Sequence, residues 1–352
     1  MWIDNPVHKE DLDSVCGNQL ICWDDFREKS FLITGATGLI GQTIVNVLTY
    51  ANIRKQLNLR IYTLVRNIQK AKELFKEQIG NGNCINLIEG TIEQLPDLPS
   101  KMDYIIHGAS ITSSLDFIHH PVEVNKTAFY GTDNILEYAR KIGITKMVYL
   151  SSMEVYGSPS KGEKVKEDNT GKLQPTVIRN SYPLGKQMCE NLCCSYASEF
   201  GVPVCIARLT QTFGPGIRYD DKRVFAEFAR CAIEKKDVVL KTRGETERQY
   251  LYTTDAVSAI LLLLISGNIG EAYNVANEET YCSIAQMADT VAEISGIGVR
   301  YDIQNTSQFG YANTLYMNLD TTKIKELGWE PTRNMQEMYR RLICVMENSE
   351  QK

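Results

Sequence analysis

The chain has 352 residues, of which 43% are hydrophobic and 23% charged, and its 38 Lys and Arg against 43 Asp and Glu give a formal net charge of −5. This length allows one large domain, or two interlocked ones, around a sizeable core, as in a globular enzyme. Because the chain is slightly acidic and has no basic block, the sequence argues against binding to nucleic acid or to an anionic membrane surface.

The first 29 residues carry mixed charges and two tryptophans, which predicts a helical lead-in packed on the domain that follows. From residue 30 onwards, short β-rich runs alternate with segments of helical periodicity. This alternation is typical of βαβ units, so we predict a parallel sheet with helices on both faces. The predicted strands are residues 30–34, 60–65, 85–89, 103–107, 146–151 and 202–208. Longer polar loops beyond about residue 210 predict a smaller region that closes over the carboxyl edge of the sheet.

The first predicted strand runs directly into "TGATGLIG", which places Gly35, Gly38 and Gly41 at regular spacing before a helical pattern. Glycine allows a tight turn and a close approach of the backbone to a pyrophosphate, and the helix N-terminus offers free N–H donors. A strand, a glycine loop and a helix in this order predict a dinucleotide site.

The end of the second strand indicates which dinucleotide binds, because an acidic residue there accepts hydrogen bonds from the adenosine ribose. This chain has Arg66 at that position. A guanidinium pairs with a 2′-phosphate and cannot accept from a 2′-hydroxyl, so the sequence favours NADP(H). If Arg66 is simply an exposed surface arginine, NAD is the alternative.

The segment "NSYPLGK" places Tyr182 and Lys186 four residues apart, on one face of a predicted helix. An ammonium near a phenol stabilises the phenolate, so we expect Lys186 to lower the pKa of Tyr182 toward neutrality. Such a tyrosine can take a proton from a sugar or alcohol hydroxyl as hydride leaves. Ser151 and Ser152, at the end of a strand about 30 residues earlier, complete a candidate catalytic site.

Together these motifs resemble the extended short-chain dehydrogenases/reductases of the nucleotide-sugar epimerase, dehydratase and decarboxylase branch. The resemblance covers about residues 30 to 345 and depends on the order of "TGATGLIG", "DYIIHGAS", "NKTAFYGTDNIL", "VYLSSMEVYG", "YPLGK", "TFGPG", "ERQYLYTTDAV" and "LGWEPT". It implies an α/β fold, a Rossmann doubly wound parallel sheet with a smaller interleaved C-terminal substrate-binding domain. The expected parts are a lead-in at 1–29, an NAD(P)-binding domain at 30–210 and a mainly substrate-binding part at 211–352, from which a strand and a helix around 250–265 return to the Rossmann domain.

The resemblance also implies roles for individual residues. Ser152 is expected to hydrogen-bond the sugar hydroxyl, Tyr182 to act as the general base, and Lys186 also to hold the nicotinamide ribose, with Glu154 as a further catalytic carboxylate. The expected cofactor-binding residues are Gly35, Thr37, Gly38, Leu39, Ile40, Gly41, Arg66, Thr91, Ile92, His107, Gly108, Ala109, Asn125, Tyr182 and Lys186. The expected substrate-binding residues are Ser110, Gln211, Arg223 and Arg248, the two arginines because a planar fork donor suits a diphosphate or a sugar acid.

Three positions depart from the family pattern. Thr91 stands where an acidic residue commonly meets the adenine, and Gln211 stands where relatives carry asparagine. Met153 stands where dehydratases of this branch carry an aspartic acid that protonates the departing C6 oxygen, and a thioether cannot deliver a proton. Thr91 and Gln211, together with Arg66, leave the cofactor form and the substrate pose open, and Met153 weakens the expectation of a 4,6-dehydration.

The family's shared first step is oxidation of the sugar C4 hydroxyl by NAD(P)⁺. The retained Glu154, the arginine at position 248 and the segment "GPGIRYDDKRVFAEF" resemble enzymes that convert UDP-glucuronate to UDP-xylose. Our main hypothesis is therefore a nucleotide-sugar decarboxylase. A 4,6-dehydratase, a 4-epimerase, an NADPH-dependent reductase of a keto-sugar nucleotide and a non-catalytic dinucleotide-binding protein are the alternatives.

The remaining expectations concern cysteines, metals, location and assembly. The ten cysteines form no C-x-x-C pair and the four histidines have no metal-ligand spacing, so we expect reduced thiols and no metal. The longest apolar run, Ala259 to Ile265, is far shorter than the ~20 residues of a spanning helix, and the N-terminus lacks the pattern of a secretory leader, so we expect a cytoplasmic protein. The family resemblance implies a homodimer that pairs the Tyr182 helix and the helix before it.

Overall fold

The structure is a computed structural model that describes residues 4–82, 84–303 and 314–350. Its strands are β1 (Ser30–Thr34), β2 (Arg60–Val65), β3 (Ile85–Glu89), β4 (Tyr104–His107), β5 (Lys146–Ser152), β6 (Lys164–Val165), β7 (Val204–Leu209), β8 (Gln211–Phe213), β9 (Val238–Leu240), β10 (Glu247–Tyr252), β11 (Ala272–Val275), β12 (Asn277–Ser283), β13 (Val299–Tyr301) and β14 (Tyr316–Leu319). Its α-helices are α1 (Pro6–Cys16), α2 (Leu39–Lys55), α3 (Ile68–Leu74), α4 (Lys76–Gly82), α5 (Asp116–His119), α6 (Pro121–Ile142), α7 (Ser181–Phe200), α8 (Val224–Ile233), α9 (Thr253–Ser266), α10 (Ile284–Ser295), α11 (Thr322–Lys325) and α12 (Met335–Glu350). Short 3₁₀ helices lie at Trp23–Phe26, Met153–Tyr156 and Ile178–Asn180.

In the described part of the chain, seven parallel strands form one large sheet in the order β11-β7-β5-β4-β1-β2-β3. The chain runs outward from β1 toward β3 and then restarts at β4 on the other side of β1. This arrangement creates a switch point between β1 and β4, where ligands of open α/β sheets bind. The pairing of Thr34 with His107 places the carboxyl ends of these two strands side by side. The predicted doubly wound Rossmann sheet is confirmed.

The large sheet is covered on both faces, which is why its strands are short continuous apolar runs. Every residue of β1 is buried. One face packs against α2 and α9 in a core that also includes the lead-in residues Trp23 and Phe26. The other face packs against α6 and α7, whose buried residues include Ile135 and Cys189. This second face carries the helix with Tyr182 toward the carboxyl edge of the sheet.

A second core lies mainly beyond β7, in the part of the chain where the sequence predicted a smaller region and the family resemblance implied a substrate-binding domain. A small sheet has the order β12-β10-β14-β6, with β8 beside β10. Its core contains Phe213, Phe225 and Tyr250 and is completed by α8, α10 and α12. The strand near residue 250, β10, belongs to this small sheet, so the expectation that it returns to the Rossmann domain is wrong. Instead α9 packs on the large sheet as a crossover helix, and β11 after it joins β7.

The lead-in ties the two cores together. Asn5 caps α1 by accepting hydrogen bonds from the backbone N–H groups of Val7 and His8. The buried carboxylate of Asp11 accepts a hydrogen bond of 2.6 Å from Tyr252, at the end of β10, and one of 2.8 Å from Arg341 of α12. The predicted helical lead-in is therefore an integral part of the packing, anchored by a buried ion pair.

Candidate active site at the carboxyl edge of the large sheet

The glycine loop packs directly against the end of β4. Gly35 has φ of +74°, and a Cβ at this position would lie 2.7 Å from the carbonyl carbon of Gly108 and 2.8 Å from the nitrogen of Ala109. A Cβ at Gly41, in the first turn of α2, would lie 2.3 Å from the Gly35 oxygen. Only glycine fits both positions, because one requires a left-handed backbone and both lack room for a side chain. The sequence signal thus corresponds to close backbone packing at the switch point.

The N-terminus of α2 is open toward the same edge. Gly38 is the N-cap residue and supplies no side chain to bond the free N–H groups of the first turn. Gly38 is exposed, and Thr37, Leu39 and Ile40 beside it are half-buried. A helix start of this kind, following a glycine turn, suits the pyrophosphate of a dinucleotide.

His107 holds the strand-end turn from beneath. Its Nδ1 lies 2.7 Å from the hydroxyl of Thr34, its Nε2 lies 3.2 Å from the hydroxyl of Thr132, and Thr34 also accepts a hydrogen bond from the Ala109 N–H. Burial, together with the smaller effect of the positive charge of Lys186, lowers the pKa of His107 to about 3. The imidazole is therefore neutral, and through Thr34 it fixes the backbone of Gly108 and Ala109. The His107 side chain itself is buried and does not reach the open edge.

The residues expected at the adenosine end differ in their surroundings. Arg66 is exposed after β2, and within the described residues no hydrogen bond or ion pair to its side chain is found. Thr91 is half-buried and accepts a hydrogen bond of 3.2 Å from the Gln94 N–H. Ile92 is buried in the core, where its side chain fills the space beside Gly131 of α6. Arg66 and Thr91 are thus accessible, whereas the Ile92 side chain serves the core.

Tyr182 and Lys186 lie on one face of α7, as predicted, and face the end of β5. Lys186 is buried and donates a hydrogen bond of 2.6 Å to the Leu150 carbonyl, with its Nζ 4.7 Å from the Tyr149 ring centroid and 5.8 Å from that of Tyr182. Burial lowers the pKa of Lys186 to about 8. The ammonium is therefore tied to the strand and loses its charge more readily than an exposed lysine.

The expectation that Lys186 lowers the pKa of Tyr182 is wrong for this structure. Burial raises the pKa of the Tyr182 phenol, the nearby Glu154 carboxylate raises it further, and a hydrogen bond with Ser152 and the charge of Arg179 lower it only in part. Burial is the main cause of the high pKa, and the Glu154 carboxylate outweighs the Arg179 guanidinium. The Lys186 ammonium does not offset these effects, because it is directed at the Leu150 carbonyl. Formation of the Tyr182 phenolate near neutral pH therefore requires positive charge beyond that of the side chains around it.

The turn after β5 carries the other two predicted catalytic residues. Ser152 caps the 3₁₀ helix Met153–Tyr156 by accepting a hydrogen bond of 3.2 Å from the Glu154 N–H. Glu154 forms an ion pair with Arg179, with 3.4 Å between Oε2 and the nearer guanidinium nitrogen, and both side chains are half-buried. The structure therefore brings together Ser152, Glu154 and Tyr182 at one edge, with Arg179 beside them.

Arg179 and Phe117 are site residues that the sequence analysis missed. The Phe117 ring stacks on that of Tyr182, with centroids 4.6 Å apart and planes inclined by 9°, and the Arg179 guanidinium carbon lies 4.8 Å from the Phe117 centroid. Stacked rings and a cation over a ring are both stabilising arrangements. The position of Arg179, three residues before Tyr182, was the available signal. For Phe117, 65 residues before Tyr182, no local signal exists.

Met153 is buried, and its sulfur lies 3.3 Å from the hydroxyl of Thr210. The same hydroxyl donates a hydrogen bond of 2.8 Å to the carbonyl of Gln249 in β10. The position next to Glu154 is thus filled by an apolar side chain that connects the turn after β5 to the small sheet. Its sulfur is at most a weak acceptor.

The four expected substrate-binding residues lie on separate segments of the chain. Gln211 begins β8, beside β10, and Arg248 is half-buried in β10 with a buried Nε that has no hydrogen-bond partner within the described residues. Arg223 is partly exposed, forms an ion pair of 2.6 Å with Asp221 and stacks on Phe225. Ser110 is half-buried after the strand-end turn. Of these four side chains, Arg248 is the one with a buried and unpartnered guanidinium nitrogen among the described residues.

Asn125, expected to contact the cofactor, is exposed on α6. A Cβ at Gly185 would lie 3.9 Å from its Oδ1, which places Asn125 beside the turn of α7 between Tyr182 and Lys186. All ten cysteines of the sequence lie in the described part of the chain and are free. Within residues 4–82, 84–303 and 314–350, none of the helices combines the length and apolar character needed to span a bilayer.

These features fit a dinucleotide along the carboxyl edge. The cradle around Gly35, which a Cβ would fill, and the uncapped start of α2 suit the pyrophosphate. Lys186 and Tyr182 lie further along the edge, toward β5. The fold and the site together define an NAD(P)-binding enzyme of the extended short-chain dehydrogenase/reductase class.

The chain belongs to the NAD dependent epimerase/dehydratase family, whose model matches residues 31–276. This membership confirms the family predicted from the sequence motifs. The chain is similar to UDP-glucuronic acid decarboxylase 1 of Xenopus tropicalis, with 29% identity over 311 residues that make up 88% of this chain and 70% of that protein. It is also 28% identical to UDP-glucuronic acid decarboxylase 3 of Arabidopsis thaliana, over 91% of this chain and 89% of that protein.

Among solved structures, the fold is similar to that of UDP-glucuronic acid 4-epimerase from Bacillus cereus in complex with UDP-glucuronic acid and NAD. The TM-score is 0.75 with 21% sequence identity, and the match covers 91% of this chain and 99% of that one. At this identity the similarity concerns the fold.

Proposed function

We propose that the chain is an NAD(P)-dependent nucleotide-sugar decarboxylase that acts on a UDP-glucuronate-like substrate. The observation that carries the proposal is the turn after β5, where Met153 is buried at the position of a dehydratase acid while Glu154 and Arg179 remain beside Tyr182. Such a turn offers a guanidinium for a sugar carboxylate and, at position 153, no proton donor for a departing hydroxyl. The names of the decarboxylase relatives support the same substrate class.

In this proposal, the first step is oxidation at C4 of the sugar. Ser152 hydrogen-bonds the C4 hydroxyl, and Tyr182 takes its proton. NAD(P)⁺, which the glycine loop and Lys186 would hold, would supply the acceptor for the C4 hydride and would return that hydride at the end of the cycle. The pKa of the Tyr182 phenol is high in the protein alone, with Lys186 already present, so deprotonation requires added positive charge, which the ring of a bound oxidised cofactor would supply.

The second step is loss of the carboxylate. Once C4 is a ketone, the substrate is a β-keto acid. The bond between C5 and C6 breaks, CO₂ leaves, and the electron pair enters an enolate that spans C5 and the C4 oxygen. Arg179 and Arg248 are the proposed holders of the carboxylate, since Arg179 is next to Glu154 and Arg248 precedes Gln249, whose carbonyl bonds the Thr210 hydroxyl beside Met153. Glu154 is the proposed carrier of the proton that C5 then receives.

Three further proposals accompany the activity. NADP is the proposed cofactor form, supported by the exposed and unpaired Arg66 after β2. A homodimer through α6 and α7 is proposed because both helices present exposed apolar side chains, among them Phe129, Tyr130 and Met188. A cytoplasmic location is proposed from the sequence. Sedimentation of the purified chain and cofactor titrations with NAD⁺ and NADP⁺ test the first two.

The activity is tested by incubating the protein and NAD⁺ or NADP⁺ with UDP-glucuronate, UDP-glucose, UDP-galactose and dTDP-glucose, followed by mass spectrometry. We expect loss of CO₂ from UDP-glucuronate and no change of the others. Loss of water from a hexose nucleotide would indicate a dehydratase, and an unchanged mass with a new retention time an epimerase. Consumption of NADPH with a keto-sugar nucleotide would indicate a reductase, and each of these results contradicts the proposal.

A further inference from the structure

A third charged residue continues the stripe of Tyr182 and Lys186 along α7. Glu190 follows Lys186 by four residues, so the three side chains lie on one face of the helix. Glu190 is buried, and it lies on the side of Lys186 away from Tyr182. A carboxylate placed one helical turn from a buried ammonium acts on the charge of that ammonium.

Glu190 is held by an arginine from the large sheet. Arg208 of β7 donates to it through Nε at 3.0 Å and through a terminal nitrogen at 2.7 Å, and the two side chains are only 13% and 9% exposed. The other terminal nitrogen of Arg208 donates to the Tyr156 hydroxyl at 2.7 Å and to the Glu167 carbonyl at 2.8 Å. The guanidinium carbon also lies 4.9 Å from the Tyr156 ring centroid. Each guanidinium nitrogen of Arg208 therefore donates at least one hydrogen bond.

Glu190 and Arg208 hydrogen-bond both ends of the segment Ser151–Tyr156, which carries Ser152 and Glu154. The Ser151 hydroxyl donates a hydrogen bond of 2.5 Å to Glu190, and Ser151 precedes Ser152 in β5. Holding Ser151 against α7 fixes the end of the strand from which the next residue, Ser152, hydrogen-bonds Tyr182 of the same helix. Tyr156 ends the 3₁₀ helix that contains Glu154, and its hydroxyl donates a hydrogen bond of 2.7 Å to Asn274 of β11. The segment Ser151–Tyr156 is thus fixed at its first and last residues.

We propose that the buried Glu190–Arg208 ion pair positions the active site, with Glu190 maintaining the ammonium form of Lys186 and both partners fixing the turn that carries Ser152 and Glu154. This inference rests on the proposed function, since it assigns the pair a purpose through Lys186 and Ser152. Glu190 and Arg208 are positioning residues, because neither is placed at the open edge of the sheet. A buried ion pair is by itself weak evidence for stability, which makes a positioning purpose the more specific explanation.

The groups that face Lys186 come from every element packed around it. From α7 these are Tyr182, Glu190 and the thiols of Cys189 and Cys193; from β5 they are the Tyr149 ring and the Leu150 carbonyl; and from β4 it is the neutral His107. Burial lowers the pKa of Lys186, and Glu190 and the two cysteines oppose that shift. Among these groups Glu190 is the carboxylate. Its replacement by a neutral residue is therefore expected to change the pKa of Lys186 in one definite direction, downward.

Replacing Glu190 by Gln removes this negative charge and leaves Arg208 uncompensated. Both effects disfavour the ammonium, so the pKa of Lys186 falls below its present value of about 8. We expect a decrease of about one unit, the lower end of what a neighbouring opposite charge produces. The double variant Glu190→Gln with Arg208→Gln removes both charges and should lower the pKa by less, in the same direction.

The direct measurement is the titration of Lys186 by NMR of the full chain labelled with ¹³C at the lysine ε-carbon, with Lys186→Arg to assign the signal. The matched control is Glu199→Gln, an exposed glutamate of the same helix. We expect a lower Lys186 pKa in Glu190→Gln and in the double variant, and no change in the control. In parallel, the alkaline limb of kcat should move to lower pH in both variants, with KM little changed, and Glu190→Asp should restore it in part.

An unchanged Lys186 pKa in folded Glu190→Gln overturns the proposal, even if that variant melts earlier. Should Glu190→Gln fail to fold, the double variant decides, and unfolding of both would assign the pair to stability and also reject a positioning purpose. The titration needs no turnover. A lowered Lys186 pKa in a protein that does not decarboxylate UDP-glucuronate would therefore retain the ion pair's effect on Lys186 while rejecting the proposed function.

Discussion

At the glycine loop the site is shaped by missing side chains, whereas around Tyr182 it is shaped by side chains from several separate segments. Gly35 and Gly41 allow β1, α2 and the turn after β4 to meet within a distance that any Cβ would prevent. On the sugar side, Tyr182 is positioned by Phe117 and Ser152, which are 65 and 30 residues away in the sequence. The two sides should therefore respond differently to substitution: the first through cofactor affinity, and the second through turnover.

The largest effect is expected for Tyr182→Phe. Loss of the proposed general base should lower kcat by roughly 10³-fold, within the usual range for such groups. The stack on Phe117 and the cofactor side are unchanged, so the Kd for NAD(P)⁺ should stay within about twofold. Steady-state kinetics and cofactor fluorescence titration check both numbers. Turnover at the wild-type rate would mean that another group takes the proton.

On the cofactor side, Gly35→Ala should raise the Kd for NAD(P)⁺ by roughly 100-fold, equivalent to about 2.8 kcal/mol. Alanine disfavours a φ of +74°, and its Cβ would meet the Gly108 backbone, so the loop must shift. Gly80→Ala is the matched control, because a Cβ there meets nothing within 4 Å. Calorimetric titration measures the affinity, and equal affinities in the two variants would contradict the geometry of the loop.

Arg179→Met should reduce kcat/KM for UDP-glucuronate by about 30-fold, corresponding to about 2 kcal/mol, as expected for loss of a hydrogen-bonded charge contact. The variant keeps an apolar stem over Phe117, so the effect isolates the charge next to Glu154. Arg27→Met is a suitable control, since Arg27 is another half-exposed arginine paired with a carboxylate, in the lead-in. A loss of the same size in both variants would remove Arg179 from the proposed site.

His107→Leu should lower the free energy of unfolding by about 1–3 kcal/mol, because it removes the hydrogen bonds that the buried hydroxyls of Thr34 and Thr132 form with the imidazole. In the native chain the His107 pKa is about 3 against an ordinary value of 6.5, so the unfolded state binds the proton first as pH falls. Stability contributed by His107 is complete above pH 6.5 and is lost toward pH 3. Urea titrations across this range should show a shallower pH dependence in the variant, and identical slopes would contradict a neutral buried His107.

The smallest effect is expected for Arg66→Ala, on the exposed rim of the cofactor side. If Arg66 pairs with a 2′-phosphate in water, its loss should weaken NADP⁺ binding by about 5-fold, consistent with about 1 kcal/mol for a solvent-exposed charge contact. Binding of NAD⁺ should not change. Competitive titration of the two dinucleotides measures the ratio. A ratio unaffected by the substitution would leave Arg66 as a surface arginine and favour NAD.

The contrast between the two sides also explains what the sequence could predict. The glycine loop, the sheet and the Tyr182–Lys186 pair depend on spacing along one or two consecutive elements, so local patterns indicate them directly. The stack of Phe117 on Tyr182 and the pairing of Arg179 with Glu154 depend on how separate segments meet. The raised pKa of Tyr182 depends on burial and on which charge faces the phenol, and neither is visible in a four-residue spacing.

The same reasoning applies to the small sheet. Its strands are short, and parallel pairs such as β10 with β14 join residues about 70 positions apart in sequence. Polar loops separate these strands, so the alternation that predicted the large sheet fades after β7. The strand near residue 250 was consequently assigned to the wrong sheet, although the helix after it was expected at the Rossmann domain and packs there.

The most direct test of the proposed activity is the reaction of UDP-glucuronate with the protein and NAD(P)⁺ in D₂O, analysed by mass spectrometry and NMR. Decarboxylation places a solvent-derived deuterium on C5, where CO₂ has left, and leaves C4 without deuterium because its hydrogen returns from the cofactor. We predict a product that has lost CO₂ and carries one carbon-bound deuterium at C5. A product that retains the carboxylate, with or without deuterium, would contradict the account.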